Sequence, residues 1–145
     1  MHPTAAQALF ETQVAALTPA LAQRRGWVVH EVSWPMIDCS FTSPQRTTLR
    51  VRLRCENWND QPPSIDLLDA DGNYLTRHFS NPTSVYNMSA HPDTARPFVC
   101  MAGSREYHTH PSHLTEFWDG FKDRSSHDLG GLLTQLWNAW RKGND

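Results

Sequence analysis

The chain is poor in charge and has no surplus of either sign. Charged residues make up 19 %, and 13 Lys and Arg against 15 Asp and Glu leave a formal charge of -2. Without a basic excess, nucleic-acid binding is excluded as a first reading. No apolar run approaches the roughly 20 residues that a membrane span requires, so no membrane partner is expected. Met1 to Ala22 lacks the basic start and apolar core of a signal peptide. Cysteine is scarce: there are three, an odd number with no paired spacing. That pattern excludes a disulfide scaffold and points to a reducing, cytoplasmic setting. No glycine-rich phosphate-binding loop occurs, so the chain itself is not expected to use a nucleotide. There is no internal repeat, low-complexity tract or linker. With 145 residues and 39 % hydrophobic content, the chain can bury one core and not two. A single domain over 1–145 is expected.

Tryptophan and histidine are plentiful, with six and eight copies. Four of the histidines, His91, His108, His110 and His113, lie close in sequence to Cys100.

Helical spacing of Ala5, Ala8, Leu9, Ala16, Leu17 and Leu21 predicts a helix from Thr4 to Gln23. Thr4 is the expected N-cap and Gly26 the stop, with a kink or a second short helix at Pro19. Strands are expected over Trp27–Val32, Met36–Phe41, Thr48–Arg54 and Ser64–Leu68, joined by short turns as an antiparallel meander. In the third, Leu49, Val51 and Leu53 alternate with Arg50, Arg52 and Arg54, which read as a solvated face or a docking stripe for an acidic partner. Trp58, in a polar loop, reads as an exposed anchor. Thr76 to Pro97 has no regular pattern, and irregular stretches of that length are often functional. Asp128 to Lys142 carries Leu129, Leu132, Leu133, Leu136, Trp137 and Trp140 on one stripe, a second amphipathic helix with Asp128 as N-cap. The expected class is α+β.

The chemistry lies between Phe98 and His113, which holds Cys100, Glu106, His108, His110 and His113. One reading is metal. Thiolate and imidazole are zinc ligands, and Cys100, His108, His110 and His113 make four, although the spacing is not a common zinc pattern. The other is nucleophilic catalysis, with histidines or Glu106 favouring the thiolate or moving protons. A third possibility is a buried, inert Cys100 among solvent-exposed loop histidines. Cys39 and Cys55 fall in strand regions and read as core.

The order of elements, Gln61-Pro62-Pro63 before the fourth strand, and His91-Pro92-Asp93 ahead of Cys100 resemble the ubiquitin-conjugating enzyme fold. The segment Cys100 to His113, with Arg105-Glu106-Tyr107-His108-Thr109-His110-Pro111-Ser112-His113, resembles bacterial proteins once described as predicted metal-binding and named for a Cys-Glu-His-His set. Those are encoded beside a ubiquitin-like protein, an activating enzyme and a metallo-isopeptidase, in systems linked to defence against phage. The resemblance implies an N-terminal helix, a four-stranded meander, an irregular active-site segment and C-terminal helices. It implies that Cys100 accepts the C-terminus of a ubiquitin-like protein as a thioester from an activating enzyme. Cys100 then passes it to a target amine such as lysine. No cofactor is implied; the alternative is a small zinc-binding module. A conjugating fold without activity, serving as a scaffold, is the third outcome. Glu106, His108, Asp119 and Asp123 are candidates for handling the incoming lysine. Arg24 and Arg25 lie where such enzymes meet the activating enzyme. The family's His-Pro-Asn is His-Pro-Asp here. An ionised Asp93 would repel an oxyanion, so His108, His110 and Asn87 become candidate donors.

Overall fold

Alternating apolar residues build the centre of the molecule. In the computed structural model, which describes residues 1–144, strands β1 (Trp27–Ser33), β2 (Met36–Ser43), β3 (Arg46–Arg54) and β4 (Ser64–Leu68) form an antiparallel sheet in sequential order. Asp145, the last residue of the expected domain, lies outside the described residues. The register sets Phe41, Cys39 and Ile37 of β2 opposite Leu49, Val51 and Leu53 of β3, and sets Ile65 and Leu67 of β4 on the far side of Leu53 and Val51. All eight are buried and belong to one apolar cluster. The C-terminal helix α4 (Leu129–Arg141) adds Leu129, Leu132, Leu133, Leu136 and Trp140 to that cluster. Its tryptophans meet Trp27 and Phe41 with ring centroids 5.9 Å apart. Asp128 caps the helix by accepting from the Gly131 N–H at 2.6 Å.

The opposite face of the sheet is charged, and the expectation of a solvated arginine stripe needs correction. Arg50 donates to both oxygens of Asp38 at 2.8 Å, and Arg52 adds two longer bonds to one of them. Arg54 pairs with Asp66 at 2.8 Å. Asp38 and Asp66 are buried. Burial pushes the Asp38 carboxyl up, but the two guanidiniums outweigh it and hold it below its ordinary value. Sequence alternation located the arginines; it could not show that residues on β2 and β4 neutralise them.

The N-terminal region is two helices, α1 (Pro3–Val14) and α2 (Pro19–Arg25), the second short helix at Pro19 being one of the two expected outcomes. Pro19 has no N–H to donate, so it takes the first position of a new helix, where none is needed. Thr18 caps that helix by accepting from the Leu21 N–H. The α1 cap is His2, whose Nδ1 accepts from the Thr4 N–H, and not Thr4. Gly26 stops α2 at a φ of 71°, with the Thr42 carbonyl where a Cβ would sit. Trp58 is fully buried against Trp118, with ring centroids 5.8 Å apart, so it is core and not an exposed anchor.

Between β4 and α4 the chain is irregular, as expected. It holds the two-residue strands β5 (Tyr86–Asn87) and β6 (Phe98–Val99), which pair with each other, and a short helix α3 (Arg105–Thr109). Single 3-10 turns follow at Pro111–His113, Trp118–Gly120 and Ser125–His127. The chain is therefore a mixed α/β domain: a four-stranded antiparallel sheet with helices at both ends of the sequence. No helix among the described residues is long and apolar enough to cross a membrane.

Asp38→Ala strips two partly exposed guanidiniums of their buried acceptor. It is expected to cost about 2–3 kcal/mol, read as a lower denaturant midpoint at unchanged slope. Arg24→Ala, at an exposed position, is expected to stay within about 0.5 kcal/mol.

Candidate functional site: a cysteine, a histidine and a glutamate

Cys100 follows β6 directly, and its N–H donates to the Val85 carbonyl at 2.6 Å. The chain then turns through Met101–Ser104. Ser104 closes the turn: its Oγ donates to the Val99 carbonyl at 2.6 Å and accepts from the Tyr107 N–H, capping α3. Gly103 stands at a φ of 111°, and a Cβ there would lie 2.3 Å from Leu132 Cδ2. Only glycine permits both the turn and the approach of α4. Two histidines hold the same turn. His108 Nε2 accepts from the Gly103 N–H at 3.1 Å while its Nδ1 donates to the Glu116 carbonyl at 2.7 Å. His127 hydrogen-bonds the backbone of Ala102.

The side chain that faces the thiol is His113. Its Nε2 lies 3.8 Å from Cys100 Sγ. Its Nδ1 donates to Glu116 Oε2 at 2.5 Å, since a carboxylate can only accept. That bond turns the other ring nitrogen toward the thiol. Tyr107 stacks on the imidazole, centroids 3.9 Å apart and planes 16° apart, and its hydroxyl donates to Glu116 Oε1 at 2.5 Å. The ring is therefore held at its edge by a carboxylate and on its face by a phenol that binds the same carboxylate. Thiol, imidazole and carboxylate thus stand in a row, an order that can activate a thiol.

The other candidates take different positions. Glu106 is buried and points at the sheet edge, accepting from the Ile65 N–H at 2.7 Å and the Ser64 hydroxyl at 3.0 Å. Burial is the main cause that raises its carboxyl above the ordinary value. It docks α3 on β4. Both nitrogens of His108 are engaged, as above. His110 Nδ1 bonds the Ser112 hydroxyl at 2.6 Å, and its ring stacks on Phe98. His91 is buried, with Nδ1 accepting from the Asp93 N–H and Nε2 donating to the Glu106 carbonyl, so the His-Pro-Asp turn is tied to α3. Asp93 itself is exposed, as are Asp119, which pairs with Lys122, and Asp123. Asn87 sits on β5 opposite Phe98 and accepts from the Ser89 N–H. Glu116 was not among the residues singled out from sequence. Its one signal is a position three residues after His113.

Burial first, and then the charge of Glu116, raise the Cys100 thiol above its ordinary value. The group therefore rests as S–H, and His113 Nε2 is the basic atom that faces it. Tyr107 is pushed up to about 12, by burial first and then by Glu116, and stays a donor. The hydrogen bond from Tyr107, then that from His113, hold Glu116 below the ordinary carboxylate range and keep it an acceptor. Cys39 and Cys55 are 1 % exposed, and burial raises both thiols, Cys39 to about 12. Neither competes with Cys100. Beyond His113 the chain exposes Leu114 and Phe117, the latter 71 %, an apolar rim beside the site.

Zinc fits this arrangement poorly. Among the described residues no group of three or more His, Cys, Asp or Glu is placed to hold a metal ion. Within the set Cys100, His108, His110 and His113, His108 has no nitrogen left to give.

Burial lowers His108 and His127 below the ordinary imidazole value of 6.5. An unfolded chain takes up protons at these residues near pH 6.5 and the folded chain does not. Stability is therefore complete above about pH 6.5 and falls as pH drops through the lowered folded-state values. Thermal melts across pH 7.5 to 5, a window set by that ordinary value, are expected to show this loss, with a shallower slope in His108→Gln. No protein-family model matches the chain, and no curated protein matches it.

Proposed function

We propose that this chain is a conjugating enzyme for a ubiquitin-like protein, built on a ubiquitin-conjugating-like fold. Cys100 accepts the C-terminal carboxyl of that protein as a thioester from an activating enzyme. It then passes the acyl group to an amine, such as a lysine of a protein target, in the cytoplasm of a bacterium defending itself against phage. One observation carries the reading: the half-buried Cys100 thiol faces His113 Nε2 at 3.8 Å, and the far side of that ring is fixed by Glu116. The element order and the motifs around Pro62-Pro63, His91-Pro92-Asp93 and Cys100 to His113 support it by resemblance.

The chemistry balances as thiol exchange. Cys100 Sγ attacks the carbonyl carbon of the incoming thioester while its proton moves to His113 Nε2. The bond from that carbon to the activating enzyme's sulfur breaks, and the departing thiolate recovers a proton. A thiolate both attacks and leaves well, so the same group can load and unload. The exposed Leu114 and Phe117 offer apolar contact for a protein chain arriving at the thiol.

Mixing the chain with ATP, its activating enzyme and its ubiquitin-like protein is expected to give an adduct in intact-mass analysis. Thiol reductant should remove it, and Cys100→Ala should form none. His113→Ala is expected to slow loading roughly 100-fold with the fold retained. A Cys100 left unloaded by competent partners, together with a chelator-removable zinc in the native mass, would instead identify a zinc module.

A further inference from the structure

We infer that the acyl group on Cys100 is transferred to alcohols as well as amines, with His113 Nε2 as general base and Glu116 as the residue that positions it. The inference rests on the proposed acyl-carrier role of Cys100 and extends it to the class of acceptor.

An amine and an alcohol ask different things of a site. A neutral amine already presents a lone pair and needs only to be held or to lose its ammonium proton. An alcohol is a poor nucleophile until a base takes its proton during attack, and such a base contributes roughly 10²–10⁴-fold. Three carboxylates that could hold an ammonium are engaged, and Asp123, which is exposed, does not face the sulfur in any contact of the structure. Glu106 is buried against β4, Asp119 pairs with Lys122, and both oxygens of Glu116 are bonded, to Tyr107 and His113. What faces the sulfur is an imidazole nitrogen.

Once Cys100 is acylated, the thiol proton is gone and Nε2 has no partner there. An acceptor attacking a carbonyl carbon bonded to Sγ passes within reach of a nitrogen 3.8 Å from that sulfur. The step balances without another reactant. The alcohol oxygen bonds to the carbonyl carbon as its proton passes to Nε2. The C–S bond breaks, the leaving thiolate takes the proton back, and an ester and a free thiol remain. His113 is open to solvent on one side, with 23 % of its side chain exposed, so an acceptor can enter.

The test acylates the full chain with a blocked diglycine thioester of mercaptoethanesulfonate, which needs no activating enzyme. The desalted acyl-enzyme is then offered a serine peptide or a lysine peptide, and products are followed by mass. Expected is an ester on serine that mild hydroxylamine cleaves, beside a hydroxylamine-resistant amide on lysine. His113→Gln is expected to slow serine transfer about 100-fold at an unchanged melting temperature, and added imidazole should partly restore His113→Ala. Glu116→Gln, at an exposed carboxylate, is expected to lower the rate at saturating serine without raising KM for the peptide. Transfer to lysine alone, discharge to water alone, serine transfer indifferent to His113→Gln, or a Cys100 the probe cannot acylate would overturn the inference. Serine transfer from the probe in a chain that activating enzyme cannot load would uphold it while ending the conjugating-enzyme reading. Loading by that enzyme without serine transfer would do the reverse.

Discussion

The site depends on a close approach that only glycine allows. Gly103 brings the turn after Cys100 against Leu132 of α4, at a φ of 111° that L side chains rarely adopt and with the place of a Cβ 2.3 Å from Leu132 Cδ2. That contact seats the turn on the apolar core instead of leaving it in solvent, and the rest follows from it. The Gly103 N–H reaches His108, His108 reaches the Glu116 carbonyl, and Glu116 is thereby brought to the edge of His113. The thiol and its base belong to a segment with little regular structure. Their geometry is set by this chain of bonds from one packed position, not by a helix or a strand.

Histidines divide the labour in a way their clustering conceals. His91 and His108 each donate from one nitrogen and accept at the other, and each ties two stretches of backbone together. Both serve the fold as brackets between backbone segments. His113 alone combines a carboxylate at one nitrogen with a thiol at the other. A cluster of imidazoles next to cysteine looks like a ligand set in one dimension, yet here its members are aimed at different neighbours.

This explains which parts were legible in the sequence. Alternation of Leu49, Val51 and Leu53 specified a half-buried strand, and the register of β2 and β4 around it followed the same rule. The stripe of Leu129 to Trp140 specified α4. Cys100 stood out by its irregular loop and the histidines around it, company that Cys39 and Cys55 lack. By contrast, Glu116 lies between Thr115 and Phe117 in a stretch with no period, where only the folded turn brings a residue three positions on back to His113. Trp58 and the arginines of β3 failed for a related reason. A polar loop hides the fact that Trp118, 60 positions away by residue number, covers the indole, and strand alternation cannot show that Asp38 and Asp66 lie across from the guanidiniums.

The raised thiol completes the physical picture. A carrier that holds an acyl group between two encounters must neither lose it to water nor fail to release it. In the proposed carrier, a thiol that burial and Glu116 hold above its ordinary value would leave more slowly than an unperturbed one, so the loaded form would persist until an acceptor arrives. Glu116 is thus used twice. Its charge makes the sulfur reluctant, and its bond to His113 orients the base that overcomes the reluctance. On that reading, attack and release would depend on one imidazole whose position is fixed before any partner binds, so no reorganisation would be needed there at the moment of transfer.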